Sequence, residues 1–395
     1  MLEADVAVVG AGAAGLSLAH RLSGHVSGMR TPSVVLVEAP PGPLRPPRRT
    51  WCFWEPGRGR FDAAVTADWG RLRVRPRTGA PIEGDIAPLR YKMIRSDDFE
   101  QLVARQLRSS PNVRRVQATV EAVEEVRQGA HVHLHDPGGG HRILAARWVF
   151  DSRPLGSLPA ARTTLLQHFH GWFVRTARPA FEPGTADLMD FRTAQPADGL
   201  SFGYVLPVGT HEALVEYTEF STRLRTADGY EEAVRHYADD VLRVGERHIT
   251  ATETGVIPMT DAPIPRRVGS SVFRIGAAGG ATRPATGYTF AGIQRQTRAV
   301  AAALRQGRRP VPPPAHSARS RAMDAVLLRA LDSGRADGPA LFCGLFGQVP
   351  MERILRFLDG RTSLPEDLRI GLRTPIAPML RSAVELPRLP RRPFE

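Results

Sequence analysis

The chain has 395 residues, of which 42% are hydrophobic, and a formal net charge of +13 at neutral pH. This length and apolar content suffice for two or three lobes with cores of their own, which excludes a disordered chain. Of the 53 basic residues only Lys92 is a lysine, and no helix-turn-helix or repeated basic and aromatic motif accompanies them. We therefore expect an anionic lipid surface, and no nucleic acid, as a partner.

The two cysteines and the N-terminal segment bear on the compartment. Cys52 and Cys343 lie far apart and outside any CxxC spacing, which predicts neither a disulfide framework nor a metal site. The first residues enter a strand pattern directly, so we expect no signal peptide, and no run reaches the 18 apolar residues of a membrane span. These features predict a cytoplasmic protein that lies peripherally on the inner face of the cell membrane.

The first motif is a GxGxxG turn that follows an apolar strand over 6–9. Gly10 allows a tight turn, Gly12 leaves room for a pyrophosphate, and Gly15 lets the next helix pack against the sheet. That helix, which includes Ala14, would place its N-terminus at the phosphates. The pattern predicts a dinucleotide-binding site.

Two acids at strand ends are placed to reach the same nucleotide. Glu38 ends the apolar run 33–37, about 20 residues beyond the glycines, where an acid accepts the ribose hydroxyls. Asp151 ends the run 143–150, after a meander of strands that follows a helix over 99–107. We predict that both lie at the nucleotide edge of the first sheet.

An aromatic cluster follows a loop that is rich in proline and arginine over 39–49. Trp51, Phe53 and Trp54 place three aromatic side chains within four positions. Clustered aromatics either fill a core or line an apolar ligand pocket, and the sequence leaves both readings open.

The middle of the chain changes to strand patterns with little helix, at 165–175, 186–192, 201–206 and 213–220. We predict one antiparallel sheet that forms a second lobe. Its last strand carries Glu216 and Glu219, which are three positions apart and so face opposite sides. At most one of them faces a pocket; the alternative is that each is a solvated edge residue.

A loop of small residues follows the strand 272–276 and precedes a helix over 289–304. Small residues in front of a helix let backbone amides approach an anion or a ring. The loop resembles the second flavin contact of many FAD enzymes, although Ala277 stands where such enzymes often carry Asp. The cofactor contacts predicted from it are Gly276, Ala277, Pro284, Thr286, Gly287 and Tyr288.

The C-terminal part has a proline-rich linker over 307–316 and helical patterns over 317–385. An apolar run there contains Leu341, Phe342 and Phe346. This run either contacts lipid or a long apolar ligand, or it is core that caps the second lobe.

Taken together, these motifs resemble the flavin-containing lycopene β-cyclases of bacteria, over nearly the whole chain and in the same order. The family pattern has two adjacent acids where this chain has Glu216 and Tyr217. Glu216 is therefore the matching acid, and Glu219 would supply a second carboxylate only if a bulge rotated the strand. The matching stretches are 10–15, 49–51, 91–96, 215–218, 255–259, 276–288, 357–361 and 364–368.

The resemblance implies an α/β fold with an FAD-binding Rossmann-like domain of the aromatic-hydroxylase and geranylgeranyl-reductase type. It implies a discontinuous FAD domain over 1–160 and 250–306, an antiparallel-sheet substrate domain over 161–249, and a linker with a helical C-terminal region over 307–395.

The resemblance also implies an enzyme that cyclises the linear ends of lycopene to β-rings, giving γ-carotene and β-carotene without net oxidation. It would use reduced FAD, with NAD(P)H as the reductant. Glu216, or else Glu219, would be the acid, and Trp51, Phe53 and Trp54 would line the polyene site. Two alternatives remain: a redox flavoenzyme of isoprenoids, such as a geranylgeranyl reductase or hydroxylase, and a carotenoid-binding flavoprotein without activity.

Overall fold

The computed structural model describes residues 2–394. The strands are β1 (Leu2–Val9), β2 (Val34–Glu38), β3 (Thr50–Pro56), β4 (Val65–Trp69), β5 (Arg71–Arg75), β6 (Ile82–Asp85), β7 (Leu89–Arg95), β8 (Val113–Gln117), β9 (Thr119–Val126), β10 (Gly129–His135), β11 (His141–Asp151), β12 (Thr164–Thr176), β13 (Thr185–Asp190), β14 (Leu200–Pro207), β15 (Glu212–Ser221), β16 (Arg247–Thr260) and β17 (Val272–Arg274). The helices are α1 (Ala13–Leu22), α2 (Ser96–Arg108), α3 (Ala227–His236), α4 (Phe290–Arg305), α5 (Ala318–Asp332), α6 (Gly338–Gln348), α7 (Met351–Leu358), α8 (Leu364–Gly371) and α9 (Ile376–Glu385).

The first sheet has the strand order β8-β2-β1-β11-β10-β9, and β17 also pairs with β11. The strands β8, β2, β1, β11 and β17 are parallel, whereas β10 and β9 add an antiparallel edge. The runs 6–9 and 34–37 are buried throughout, as central strands of a parallel sheet require. Helices α1, α2 and α4 pack against one face of this sheet.

The second sheet has the order β16-β12-β15-β14-β13-β5-β6. It differs from the predicted antiparallel sheet over 161–249 in two respects: β5 pairs parallel with β13, and β16 continues to Thr260. A boundary at 249 thus divides a strand that pairs with β12 along its length. Alternation of apolar and polar residues along a segment predicts a strand but not the strand it pairs with. The sequence therefore did not indicate that β5 and β6 belong to this lobe.

A third, small sheet and the C-terminal helices complete the cores of the two larger sheets. A small sheet of order β3-β7-β4 lies between the lobes, and residues of α5, α6 and α7 join the core of the second sheet. Helix α3 continues as a π-helix over Tyr237–Leu242. The predicted fold class is confirmed. None of the described helices is both long and apolar enough to cross a bilayer.

Candidate active site

The glycine turn after β1 has the geometry of a ligand cradle. Gly10 has a φ of +92°, and a Cβ on Gly15 would lie 1.9 Å from the Gly10 carbonyl oxygen. The backbone itself therefore requires glycine at both positions, whether or not a ligand is bound. A Cβ on Gly12 would meet no protein atom within 4 Å. Helix α1 begins there without a side-chain cap, so its first amides are open to an anion.

The small-residue loop after β17 meets this turn. Gly276 has a φ of +70°, and a Cβ there would lie 2.8 Å from the Cβ of Ala14. The structure therefore brings together the two stretches from which the cofactor contacts were predicted. Ala277 and Pro284 also line a cavity of about 390 Å³ beside this junction.

A buried ion pair anchors the same loop to the C-terminal helices. Arg283 lies within the loop, and its Nε is 2.7 Å from a carboxylate oxygen of Asp324 on α5, with both side chains at most 5% exposed. Burial raises the pKa of Asp324 to about 6, although the Arg283 charge opposes that rise. This ion pair therefore fixes the loop to α5, and loss of either partner would leave the other as an unpaired buried charge.

The two acids at strand ends have protein partners of their own. Glu38 is buried at the end of β2 and accepts hydrogen bonds from Arg115 at 2.7 Å and from Gln117 at 3.4 Å. Asp151 ends β11 and pairs with Arg153 at 2.8 Å. Both lie at the carboxyl edge of the parallel strands, where ligands bind in such sheets; their cofactor role stays a prediction.

A second cavity, of about 190 Å³, lies between the second sheet and the loop that contains Thr286, Gly287 and Tyr288. Its walls are mostly apolar and aromatic, and α6 and α7 contribute side chains to them. Among the described residues of its lining, Glu216 and Glu253 are the only ones with a carboxyl group. We call this cavity the carboxyl pocket.

Glu216 projects from the middle of β15 into the carboxyl pocket and accepts a hydrogen bond of 2.8 Å from Thr218. Burial raises the pKa of Glu216 to about 8, and the negative charge of Glu253 adds to that rise. The carboxyl group is therefore mainly protonated at neutral pH, as an acid catalyst requires.

Glu219 lies on the opposite face of β15. Its carboxylate pairs with Arg225 at 2.7 Å and accepts a hydrogen bond of 2.9 Å from Tyr217. The strand pairs with β12 and β14 without a bulge at this point, so nothing rotates Glu219 toward the pocket. The structure corrects the suggestion that Glu219 supplies a second carboxylate there.

The aromatic cluster divides between the pocket and the core. Trp51 lines the carboxyl pocket, whereas Phe53 packs against Phe290 with ring centroids 4.6 Å apart. Trp54 is buried against Tyr288, with centroids 4.7 Å apart. The prediction that Phe53 and Trp54 line the polyene site is corrected, because neither residue is in the lining of the carboxyl pocket and each is buried in the core on its own side of β3.

The apolar run of α6 is also core and pocket wall rather than surface. Leu341 and Phe346 are at most 5% exposed, and Phe342 and Phe346 line the carboxyl pocket. The expectation of a lipid-contacting face at these residues is corrected, because α6 turns them toward the second sheet.

Sequence reasoning missed Glu253, which lies on β16 and faces the same pocket as Glu216. It accepts hydrogen bonds from the backbone N–H and the hydroxyl of Thr50, at 2.7 and 2.5 Å. Burial raises its pKa, although these bonds and the charges of Arg49 and Arg95 oppose the rise. The signal in the sequence was an acid two positions before the matching stretch 255–259.

The sequence agrees with one family along nearly its whole length. A family model described as "Lycopene cyclase protein" matches residues 5–384. The chain belongs to the lycopene cyclase protein family. A search of curated proteins finds no match.

Solved structures share the fold at low identity. A geranylgeranyl bacteriochlorophyll reductase-like protein from Thermoplasma acidophilum matches with a TM-score of 0.63 and 11% identity, over 98% of this chain and 100% of that one. The p-nitrophenol 4-monooxygenase of Pseudomonas putida matches at 0.59 and 17%, over 99% and 100%. The flavin-dependent monooxygenase PieE, solved with FAD and substrate, matches at 0.58 and 14%, over 98% and 72%. This lycopene cyclase family member therefore has the fold of FAD-dependent flavoenzymes.

Proposed function

We propose that the protein is a lycopene β-cyclase that closes the linear ends of lycopene to β-rings by acid catalysis, without net oxidation. The observation that carries this proposal is Glu216, a buried carboxyl group in an apolar pocket next to the loop 285–288, where burial raises its pKa to about 8. The family membership supplies the substrate class.

The chemistry begins at Glu216. Its proton goes to the terminal double bond of the polyene, which leaves a tertiary cation, and the next double bond attacks that cation to close the ring. Loss of a neighbouring proton then forms the ring double bond. The electron-rich faces of Trp51 and Tyr288 border the pocket and would stabilise the cation by about 2 kcal/mol each once water is excluded.

The cofactor site fits FAD. The open space above Gly12 and the uncapped start of α1 would hold the pyrophosphate, Glu38 the ribose, and the loop 276–288 the ring system. When bound, reduced flavin supplies negative charge that stabilises a nearby cation. NAD(P)H would serve only to keep the flavin reduced.

Product mass and reductant use test the proposal. We expect purified protein, supplied with lycopene, FAD and a reductant, to form products whose mass equals that of lycopene. Their absorption spectra should be those of carotenoids with one or two β-rings. The Glu216→Gln variant should lose at least about 10²-fold of that activity. A product whose mass has changed, formed with stoichiometric consumption of NAD(P)H, would instead identify a redox enzyme of isoprenoids.

We further propose that the protein takes its insoluble substrate from a membrane surface through α8 and α9. These two helices and the residues directly after each of them carry exposed apolar side chains, 48–67% exposed, and exposed arginines, while the acids of the helices pair with arginines of other elements. Apolar insertion and attraction to anionic headgroups, about 1 kcal/mol per arginine, would act together. The apolar residues are Leu364, Leu368, Leu372, Ile376, Leu380 and Val384, and the arginines are Arg369, Arg373, Arg381 and Arg388.

Co-sedimentation with liposomes of varied anionic content tests this surface. We expect binding that rises with anionic lipid, falls with salt, and is lost when Leu368, Leu372 and Leu380 are changed to Ser. The matched control changes three leucine or valine residues that are equally exposed elsewhere, namely Leu44, Leu224 and Val268. Equal loss in both triple variants would exclude α8 and α9 as a specific docking surface.

A further inference from the structure

Three neighbouring strands of the second sheet place one glycine between two glutamates. On β12, Gly171 is paired with Glu216 of β15 on one side and with Glu253 of β16 on the other. Residues that are directly opposite across neighbouring strands share a face of the sheet, so both carboxyl groups point toward the carboxyl pocket. Strand spacing puts their Cα atoms about 10 Å apart.

The glycine lets the side chains of Leu214 and Glu216 pack closely over β12 between the two acids. A Cβ on Gly171 would lie 2.9 Å from a methyl group of Leu214 and 3.2 Å from the Cβ of Glu216. Any larger residue would therefore stand between the two acids or push one aside. Leu214, Glu216 and Glu253 all line the carboxyl pocket.

The surroundings of the two glutamates differ in their hydrogen-bond donors and nearby charges. Glu216 has one hydroxyl partner, Thr218, and no cation near it in the lining of the pocket. Burial raises the pKa of Glu253 too, but two hydrogen bonds from Thr50 and the charges of Arg49 and Arg95 favour its carboxylate and oppose that rise. Two acids whose environments differ in this way serve as a proton donor and a proton acceptor.

We propose that Glu253 is the catalytic base that removes the ring proton after Glu216 has donated its own, and that Thr50 positions it for this step. This inference rests on the proposed cyclase function. Glu216 gives a proton to the CH carbon of the terminal double bond, which leaves a tertiary cation on the carbon that bears the two methyl groups. The next double bond attacks that cation to form the ring carbon–carbon bond, and the new cation loses a neighbouring C–H proton to the Glu253 carboxylate as the ring double bond forms. One proton enters and one leaves, so nothing is oxidised. Transfer of the proton from Glu253 back to Glu216 restores the starting state.

The pH dependence of the cyclisation rate distinguishes this role from a structural one. In the wild type we expect the rate to fall at high pH, where Glu216 loses its proton, and at low pH, where Glu253 gains one. Glu253→Gln should form β-rings about 10²-fold more slowly, and its remaining activity should lack the low-pH fall. Thr50→Val keeps both acids but removes one bond to the carboxylate, so its low-pH fall should move to higher pH. Glu212→Gln, on the same strand as Glu216 but outside the pocket, is the matched control.

An unchanged rate in Glu253→Gln, or a reduced rate that keeps the low-pH fall, would refute the role of Glu253 while leaving the cyclase proposal intact. Infrared difference spectra of the flavin-loaded proteins give a second measurement that does not depend on activity. At neutral pH, Glu216→Gln should remove a protonated carboxyl band and Glu253→Gln a carboxylate band. Two protonated carboxyl groups at neutral pH would overturn the inference whatever the enzyme does.

Discussion

Replacing Glu216 with Gln should stabilise the fold in a pH-dependent manner while it abolishes cyclisation. A carboxyl group whose pKa rises on folding binds more protons in the folded state than in the unfolded one, so it lowers stability as the pH rises from its ordinary pKa of 4.5 to about 8. Each pH unit in that interval costs about 1.4 kcal/mol. At pH 7 the ionisable acid thus costs about 3 kcal/mol, a cost that the neutral amide avoids.

Urea unfolding of the two proteins at pH 5 and pH 7, with the same excess of FAD, measures this difference. We expect the variant to be more stable than the wild type by about 1 kcal/mol at pH 5 and by about 3 kcal/mol at pH 7. The control Glu212→Gln changes an exposed acid of the same strand and should show no such pH-dependent gain. A gain of equal size at both pH values, or a loss at pH 7, would refute the claim that burial keeps Glu216 protonated.

Two further predictions concern the cofactor cradle and its support. Gly12→Val should yield a folded but colourless protein, because a Cβ at this position meets no protein atom within 4 Å and the valine side chain blocks the pyrophosphate, whereas Gly15→Val should not fold, because its Cβ overlaps the Gly10 carbonyl. Flavin absorbance measures cofactor binding and circular dichroism measures folding, and full flavin absorbance in Gly12→Val would contradict the proposed cradle. Asp324→Asn should lower the free energy of unfolding by about 3–5 kcal/mol, because Arg283 is then left buried and unpaired; a urea midpoint equal to that of the wild type would show that Arg283 has another partner.

Local patterns in the sequence were sufficient for several features. The glycine spacing between β1 and α1 predicted this turn, because Gly10 and Gly15 each meet a local steric requirement and Gly12 leaves open space beside the start of α1. The three-residue spacing of Glu216 and Glu219 predicted that they face opposite sides, because side chains alternate along a strand. The spacing alone did not indicate which of the two faces the pocket; the resemblance to the cyclases favoured Glu216.

Pairing between distant segments decided the rest. Glu253 faces the same pocket as Glu216 because β15 and β16 both pair with β12, and Gly171 stands between them because of the register of those pairs. Likewise, α6 forms a wall of the pocket instead of a surface because it packs on the second sheet. Periodicity reports which residues of one segment share a face, but the register between segments is set by the free energy of the whole packed core, so only the tertiary structure determined which acids meet.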